Sequence, residues 1–225
     1  MEERTQSVEV EAKFKADKCA YEALLHYLRN SEGFTTEDLG QFQRTHLYYR
    51  VSPDMERQKA QPRLRLILMH EGGGRYDYKA LRDDNPASRS STDVSVGWPK
   101  GEHVTLHAAI ETLCKKVGAA DRTALKHFGR FPEFSVAFQG THHKTRALSE
   151  NIELEISWDN LVLLNTGDPL SELEVELKRG DRELFDGLIG KIRASQSLSP
   201  VLFSKHQQAL SLVHKNADRR AGDNG

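Results

Sequence analysis

Hydrophobic and polar residues alternate strictly in several stretches of this chain. In VEVEAKFK, residues 8–15, apolar side chains alternate with two glutamates and two lysines. The stretches PRLRLILM, IELEISWD and ELEVELK repeat this pattern, with arginines or acidic residues at every second position. Because successive side chains of a strand point to opposite faces, each stretch predicts a strand with one apolar face and one charged face.

Two other patterns complete the predicted elements. Aromatic and β-branched alternation predicts strands at 41–51, 75–81, 132–140, 141–148 and 161–165, and GGG at 72–74 predicts a hairpin turn. A helical period of apolar residues predicts helices at 16–30, 105–118, 182–196 and 201–213, with Asp17 available as the N-cap of the first. Residues 82–103 are rich in Ser, Asp, Pro and Gly, which predicts a long surface loop.

This set of elements predicts an α+β fold. Many strands with one charged face, together with a few amphipathic helices, are typical of a closed antiparallel β-barrel of about eight strands with helices packed outside. We expect one domain over residues 1–214. The remaining residues, 215–225, are polar and are predicted to form a disordered tail.

Composition excludes several classes of protein. Across 225 residues, 32 Lys and Arg balance 33 Asp and Glu, so we expect no nucleic-acid partner. The first residues contain no apolar signal segment and no run could span a bilayer, which predicts a cytoplasmic protein without a membrane partner. Cys19 and Cys114 have no paired spacing and are interpreted as small buried hydrophobic residues in a reducing compartment. The oligomeric state stays open.

The charged faces could serve two purposes. If they faced outward, they would form weak surface ion pairs, each contributing only about 0–1 kcal/mol. If they faced inward, they would line a tunnel with carboxylates on one part of its wall and Arg and Lys on another. Crowded carboxylates repel each other unless a cation neutralises them, and hard oxygen ligands favour Mg²⁺ or Mn²⁺. Guanidinium and ammonium groups suit phosphate, so this second interpretation predicts a metal and a polyphosphate.

A family resemblance supports the second interpretation. Glu9, Glu11 and Lys13 resemble the ExExK signature of the CYTH superfamily, the triphosphate tunnel metalloenzymes. Further stretches resemble the later motifs of that family in the same order: THLYYR, RLRL, YDYKAL, KTRAL, EISWD, ELEVELKRGD and FSKH. The order and spacing of these pieces are more specific than ExExK alone.

The resemblance implies roles for individual residues. It implies catalysis by Glu9, Glu11 and Lys13. It implies metal binding by Glu9, Glu11, Asp159, Glu174 and Glu176. It implies triphosphate contacts from Lys13, Arg63, Arg65, Lys79, Arg146 and Lys205. The sequence leaves open whether Glu153, Glu155, Glu172, Lys144 and Lys178 are ligands or support them.

The implied function is divalent-metal-dependent hydrolysis of a triphosphate, inorganic or organic, with release of orthophosphate. Two alternatives remain: a class IV-like adenylate cyclase that forms cyclic AMP and pyrophosphate, and a module that binds polyphosphate or nucleotide without turnover.

His142 and His143 are adjacent in a predicted strand, so they point to opposite faces and cannot share a site.

Overall fold

The computed structural model describes residues 10–51, 62–81, 91–201 and 203–222. Nine strands lie within these residues: β1 Glu11–Lys15, β2 Thr35–Tyr49, β3 Pro62–Met69, β4 Gly74–Leu81, β5 Ser91–Trp98, β6 Phe134–Leu148, β7 Glu153–Leu163, β8 Pro169–Arg179 and β9 Ser199–Pro200. Five helices accompany them: α1 Lys18–Ser31, α2 Leu106–Lys116, α3 Ala119–Arg130, α4 Arg182–Gln196 and α5 Lys205–Gly222.

The strands form one antiparallel sheet in the order β5-β4-β3-β2-β6-β7-β8-β1-β9. The predicted α+β class with an antiparallel sheet is therefore confirmed. Among the described residues, no hydrogen-bonded ladder joins the first strand of this order, β5, to the last, β9. The predicted closure into a barrel is consequently not confirmed by hydrogen bonds.

The chain divides into two compact units. Of the described residues, the first unit contains 44–51, 62–81 and 91–139, and the second contains 10–43, 140–201 and 203–222. The long strands β2 and β6 contribute residues to both units. The single domain expected over 1–214 stays a prediction.

In the first unit, α2 and α3 cover the apolar face of strands β3 and β4. Leu64 and Tyr78 are completely buried in the same core as Leu113 of α2 and Phe128 of α3. The hydroxyl of Tyr78 donates to the buried carboxylate of Asp121 on α3 at 2.9 Å, which satisfies both polar groups. The alternate side chains of β3 and β4, several of them charged, therefore point to the other face.

In the second unit, α1 and α4 cover the apolar faces of β1, β7 and β8. The buried core includes Phe14, Leu154, Val175, Leu24 of α1 and Phe185 of α4. Both helices begin at an aspartate whose carboxylate accepts backbone N–H groups of the first turn: Asp17 for α1, as the sequence predicts, and Asp181 for α4. The charged side chains of these strands lie on the face away from α1 and α4.

The segment 82–103 is not one long loop. Residues 91–98 form β5, which pairs with β4 along its whole length, from Gly74 opposite Trp98 to Leu81 opposite Ser91. Val94 and Val96 pack against the core of the first unit, so tertiary packing overrides the low strand propensity of the surrounding Ser, Asp and Gly. Residues 82–90 lie outside the described part of the chain.

Other boundaries differ from the pattern-based ones. The strands predicted at 132–140 and 141–148 are parts of one strand, β6, which runs from Phe134 to Leu148. At Gly140 a Cβ would clash with the backbone of Asn160 on β7, so only glycine permits this close approach. Strand β7 likewise continues through Asn160 to Leu163. Helix α3 was not predicted, and α5 begins at Lys205 instead of residue 201 and extends to Gly222. Cys19 is exposed on α1, so its interpretation as a buried residue is wrong. Within the described residues, no helix is both long and apolar enough to cross a bilayer.

Candidate functional site

Three neighbouring strands of the second unit bring acidic and basic side chains together. On β1 and β8, Lys13 lies opposite Glu174 and Glu11 lies opposite Glu176, while Asp159 of β7 lies opposite Glu172 of β8. The Lys13 ammonium contacts Glu11 Oε2 and Glu174 Oε1, each at 2.9 Å. Antiparallel register therefore gives Lys13 one carboxylate partner, Glu174, and the two-residue period of its own strand gives it the other, Glu11.

Lys205, the first residue of α5, supplies a second ammonium to the same face. Its Nζ lies 3.0 Å from Asp159 Oδ2, 2.8 Å from Glu172 Oε1 and 3.0 Å from Glu174 Oε2. The Lys205 side chain is only 12% exposed, and Gln208, one helical turn later, donates to Glu172 Oε2 at 2.7 Å. The inner cluster, as we name it, comprises Glu11, Lys13, Asp159, Glu172, Glu174 and Lys205.

Burial and mutual repulsion perturb the pKa values in the inner cluster. Burial, with the neighbouring charge of Glu174 as the next cause, raises the pKa of Glu11 to about 8. Burial alone would also raise the pKa of Glu174, but the Lys205 and Lys13 ammonium groups outweigh it and hold that pKa well below its usual range. The pKa of Lys205 is raised well above its usual range, because Glu174, Asp159 and Glu172 outweigh the opposing effect of burial. The Glu11–Glu174 pair therefore binds a proton more readily than an isolated glutamate does.

Further along the same face, ion pairs become more exposed. Lys144 lies 2.7 Å from Glu155, and Lys178 lies 2.5 Å from Glu176 and 3.8 Å from Glu155. The next basic residue outward on β6 is Arg146, whose guanidinium contacts Glu153 at 3.4 Å and Glu37 at 3.3 Å. The outer pairs, as we name them, are Lys144–Glu155, Lys178–Glu176 and Arg146–Glu153.

The two adjacent histidines of β6 point to opposite faces, as predicted. His143 lies against the rings of Tyr21 and Trp158 on the apolar side. His142 lies on the charged side, where its Nδ1 is 2.6 Å from Oδ1 of Asp159. His142 is thus a neighbour of the inner cluster.

The first unit carries a separate basic face on β3 and β4. Arg63 lies opposite Lys79, and Arg65 lies opposite Asp77. Arg65 Nη2 contacts Asp77 Oδ2 at 2.7 Å, and its Nη1 donates to the Tyr48 hydroxyl at 3.2 Å. Two of the guanidinium nitrogens of Arg65 are therefore fixed by neighbours in the same unit.

The structure distributes the sequence-predicted site residues over several places. Glu11, Lys13, Asp159, Glu174 and Lys205 meet in the inner cluster. Glu176 and Arg146 belong to the outer pairs, Arg63, Arg65 and Lys79 lie in the first unit, and Glu9 lies outside the described residues. Their roles stay predictions.

Sequence reasoning missed one residue here, gave a second no role and left a third undecided. Glu172 was left undecided, although it is the most buried carboxylate of β8. His142 was considered only as a partner of His143 and was given no role in the site, and Gln208 was not singled out at all. His142 had a readable signal, because it stands two residues before Lys144 and four before Arg146 on one strand face. Gln208 had none, because its contact with Glu172 depends on where α5 begins.

The donor chemistry of the inner cluster fits Mg²⁺ or Mn²⁺. Its four acidic side chains offer carboxylate oxygens, the ligands that these cations prefer. One of these oxygens, Oε1 of Glu172, is buried and accepts no hydrogen bond of normal geometry. Its ion-pair partner is the Lys205 ammonium, 2.8 Å away. Among the described residues, no three Asp, Glu, His or Cys side chains are already arranged to hold a metal ion. In this structure the ammonium groups of Lys13 and Lys205 lie between the carboxylates.

Comparison with known proteins gives structural likeness only. No protein-family profile matches the chain, and no curated protein matches it in sequence. A Bacillus halodurans protein with a provisional adenylate cyclase assignment superposes with a TM-score of 0.51 at 17% identity, covering 90% of this chain and 97% of that one. The Hippeastrum protein HpAC1, named as an adenylyl cyclase with a dominant triphosphatase activity, superposes with a TM-score of 0.53 at 14% identity, covering 90% and 95%.

At these identities the likeness shows a shared fold. The sequence-based resemblance to CYTH-type proteins is confirmed at that level, because both neighbours align over nearly their whole length. The activities of these neighbours remain statements about those proteins.

Proposed function

We propose that this protein is a divalent-metal-dependent triphosphatase that releases orthophosphate from inorganic tripolyphosphate or an organic triphosphate. The observation that carries the proposal is the inner cluster, in which four carboxylates and two ammonium groups crowd together on a half-buried face of β1, β7 and β8. Stability is a weak reason for such an arrangement, because burying charges costs about as much as their pairing returns. A cation and a polyanion would use both kinds of group.

The residues divide into two sets by chemistry. Glu11, Asp159 and Glu174, with Glu9 and Glu176, would hold Mg²⁺ or Mn²⁺, which supplies a Lewis acid that offsets phosphate charge. The ammonium groups of Lys13 and Lys205 would exchange their carboxylate partners for phosphate oxygens. They would then orient the triphosphate and stabilise negative charge that develops during phosphoryl transfer.

The proposal includes two finer points taken from the resemblance. Arg146, Arg63, Arg65 and Lys79 would contribute the remaining triphosphate contacts, and the sheet would enclose the substrate as a barrel. A cytoplasmic location and a small-molecule partner belong to the same proposal. The products would be orthophosphate and a diphosphate.

Adenylate cyclase activity is the second candidate, favoured by the provisional assignment of the Bacillus halodurans neighbour with the same fold. The HpAC1 neighbour favours hydrolysis instead, because triphosphatase activity is stated to dominate in that protein. The two reactions use the same phosphates and differ in the nucleophile, which is water in hydrolysis and a ribose hydroxyl in cyclisation.

A product assay tests the proposal. Purified protein is incubated with tripolyphosphate, thiamine triphosphate or ATP in the presence of Mg²⁺ or Mn²⁺, and both orthophosphate and cyclic AMP are measured. We expect orthophosphate from at least one substrate, and the loss of that product when the metal is chelated or when Glu11→Gln is used.

Glu22→Gln is a matched control, because Glu22 is an exposed carboxylate of α1 whose contact is the exposed Lys18. It should retain full activity. Cyclic AMP without orthophosphate would replace the proposal by the cyclase candidate. Tight triphosphate binding without any product would identify a binding module and contradict the proposal.

A further inference from the structure

The basic residues of β6 form a series with the acidic residues of β7. Counting outward along β6, His142 contacts Asp159 at 2.6 Å, Lys144 contacts Glu155 at 2.7 Å, and Arg146 contacts Glu153 at 3.4 Å. The outer two positions carry side chains with a permanent positive charge. The innermost position, which borders the inner cluster, carries an imidazole instead.

The atoms of the innermost pair have definite roles. An ionised carboxylate can only accept hydrogen bonds, so the contact requires a proton on Nδ1 of His142. The contact occupies Oδ1 of Asp159, while Oδ2 faces a cation, the Lys205 ammonium, at 3.0 Å. The two oxygens of one carboxylate are therefore divided between a hydrogen-bond donor and a cation.

Burial makes this division effective. Asp159 is 4% exposed and His142 is 12% exposed, so water has little access to the carboxylate. A hydrogen bond at a buried charged group is stronger than one in water, and it fixes the rotamer of the group that it holds. Without His142, Asp159 would keep its other contacts but lose the donor that orients Oδ1.

We propose that His142 is a positioning residue for the cation site: its Nδ1–H holds Oδ1 of Asp159 so that Oδ2 is presented to the bound cation. The inference rests on the proposed function, because Asp159 is one of the carboxylates assigned to Mg²⁺ or Mn²⁺ there. An imidazole donates this hydrogen bond without requiring a permanent positive charge, unlike the Lys and Arg at the outer positions. His142 therefore orients the Asp159 carboxylate without adding a second permanent positive charge beside it.

The test measures Mn²⁺ binding without substrate, from the loss of the electron paramagnetic resonance signal of free Mn²⁺. His142→Leu removes the donor and should weaken Mn²⁺ binding about tenfold, the lower end of the usual effect of removing a group that orients a metal ligand. His142→Asn can donate from a similar position and should stay within about threefold of the unsubstituted protein. His142→Lys keeps a donor but adds a permanent charge, and it should weaken binding at least as much as His142→Leu.

The control and a second readout separate positioning from folding. His107→Leu replaces an exposed histidine of α2, whose contact is the exposed Glu111, and should leave Mn²⁺ affinity unchanged. The second readout is the Michaelis constant for tripolyphosphate at saturating Mn²⁺, which should change little in His142→Leu. A collapse of all binding together with a large loss of thermal stability in both Leu and Asn variants would overturn the inference in favour of a purely structural role.

Two failures are distinguishable. If the unsubstituted protein neither binds Mn²⁺ nor hydrolyses any triphosphate, the proposed function fails and takes this inference with it. If the unsubstituted protein binds Mn²⁺ and hydrolyses its substrate, but His142→Leu binds Mn²⁺ equally well, the inference alone is overturned.

Discussion

Replacing Lys205 by methionine removes the ammonium that pairs with three carboxylates of the inner cluster. Its Nζ lies within 3.0 Å of oxygens of Asp159, Glu172 and Glu174, and those side chains are 4%, 1% and 17% exposed. Methionine keeps the length and most of the apolar stem, so the change isolates the loss of charge. The carboxylates would then repel each other with one fewer counter-charge.

Removing one partner of a buried ion pair costs about 3–5 kcal/mol, because the remaining charge is left without compensation. The carboxylates can reduce this cost by taking up a proton, so we expect Lys205→Met to lower the free energy of unfolding by about 3 kcal/mol near neutral pH, the lower end of that range. This loss of stability should be smaller at acid pH, because the carboxylates are then protonated and no longer need the ammonium as a counter-charge.

Urea denaturation in the presence of a chelator measures this quantity from the shift of the midpoint at constant slope. Lys191→Met is the matched control, because Lys191 is 62% exposed and pairs with Glu32 at 2.8 Å, and exposed surface pairs contribute little to stability. If Lys205→Met costs no more than Lys191→Met, the ion pairs of the inner cluster do not hold Lys205 in place, and the argument from burial is refuted.

Added metal gives this prediction a second part. If the inner cluster binds Mn²⁺, a concentration about 100-fold above the dissociation constant should stabilise the folded protein by about 2.7 kcal/mol. The cation should therefore offset much of the loss in Lys205→Met. A variant that Mn²⁺ does not stabilise would contradict the assignment of these carboxylates to a metal.

Three further changes test parts of the fold. Glu32→Gln should lower the free energy of unfolding near neutral pH by up to about 1 kcal/mol. Hydrogen bonds from neighbouring donors hold the pKa of Glu32 below 4.5, so the ionised carboxylate stabilises the fold above pH 4.5. In urea denaturation, the difference between the variant and the unsubstituted protein should vanish as the pH falls below the pKa of Glu32. Tyr21→Phe leaves the buried hydroxyl of Thr145 without its 2.6 Å partner and should lower stability by about 1–3 kcal/mol, whereas an unchanged melting temperature would show that this hydrogen bond contributes nothing. Gly140→Ala pushes a methyl group into the backbone of β7 and should lower the free energy of unfolding by about 1–3 kcal/mol. Gly187→Ala, in contrast, has open space within α4 and should raise the free energy of unfolding by about 0.5–1 kcal/mol. Equal urea midpoints for the two variants would contradict the close approach of β7 to Gly140.

Alternation of side chains predicts the charged faces well, because it is a local property of each strand. Glu11, Lys13, Glu172 and Glu174 appear on one face of β1 and β8 because their neighbours are apolar and bury against helices. Local pattern also identifies the start of α1, since Asp17 caps it as expected. These are the parts of the fold and of the site that the sequence could predict.

Pairing between distant elements is the part that sequence could not predict. Lys205 reaches Asp159, Glu172 and Glu174 only because the residues just before it are not helical and α5 begins at Lys205 itself. Strand β5 was missed because its Ser, Asp and Gly have low strand propensity, and only its ladder with β4 and its contacts with the core stabilise it. Both features depend on tertiary contacts, which leave no local pattern in the chain.

The most direct measurement is the rate of orthophosphate release from tripolyphosphate with Mg²⁺ or Mn²⁺, compared between the unsubstituted protein, Glu174→Gln and Glu183→Gln. Glu174 contacts both ammonium groups of the inner cluster, whereas Glu183 is an exposed residue in the first turn of α4. Metal-dependent release that is lost in Glu174→Gln and retained in Glu183→Gln is the predicted result. Release that needs no metal, or that survives Glu174→Gln unchanged, would contradict the assignment of the inner cluster as the triphosphatase site.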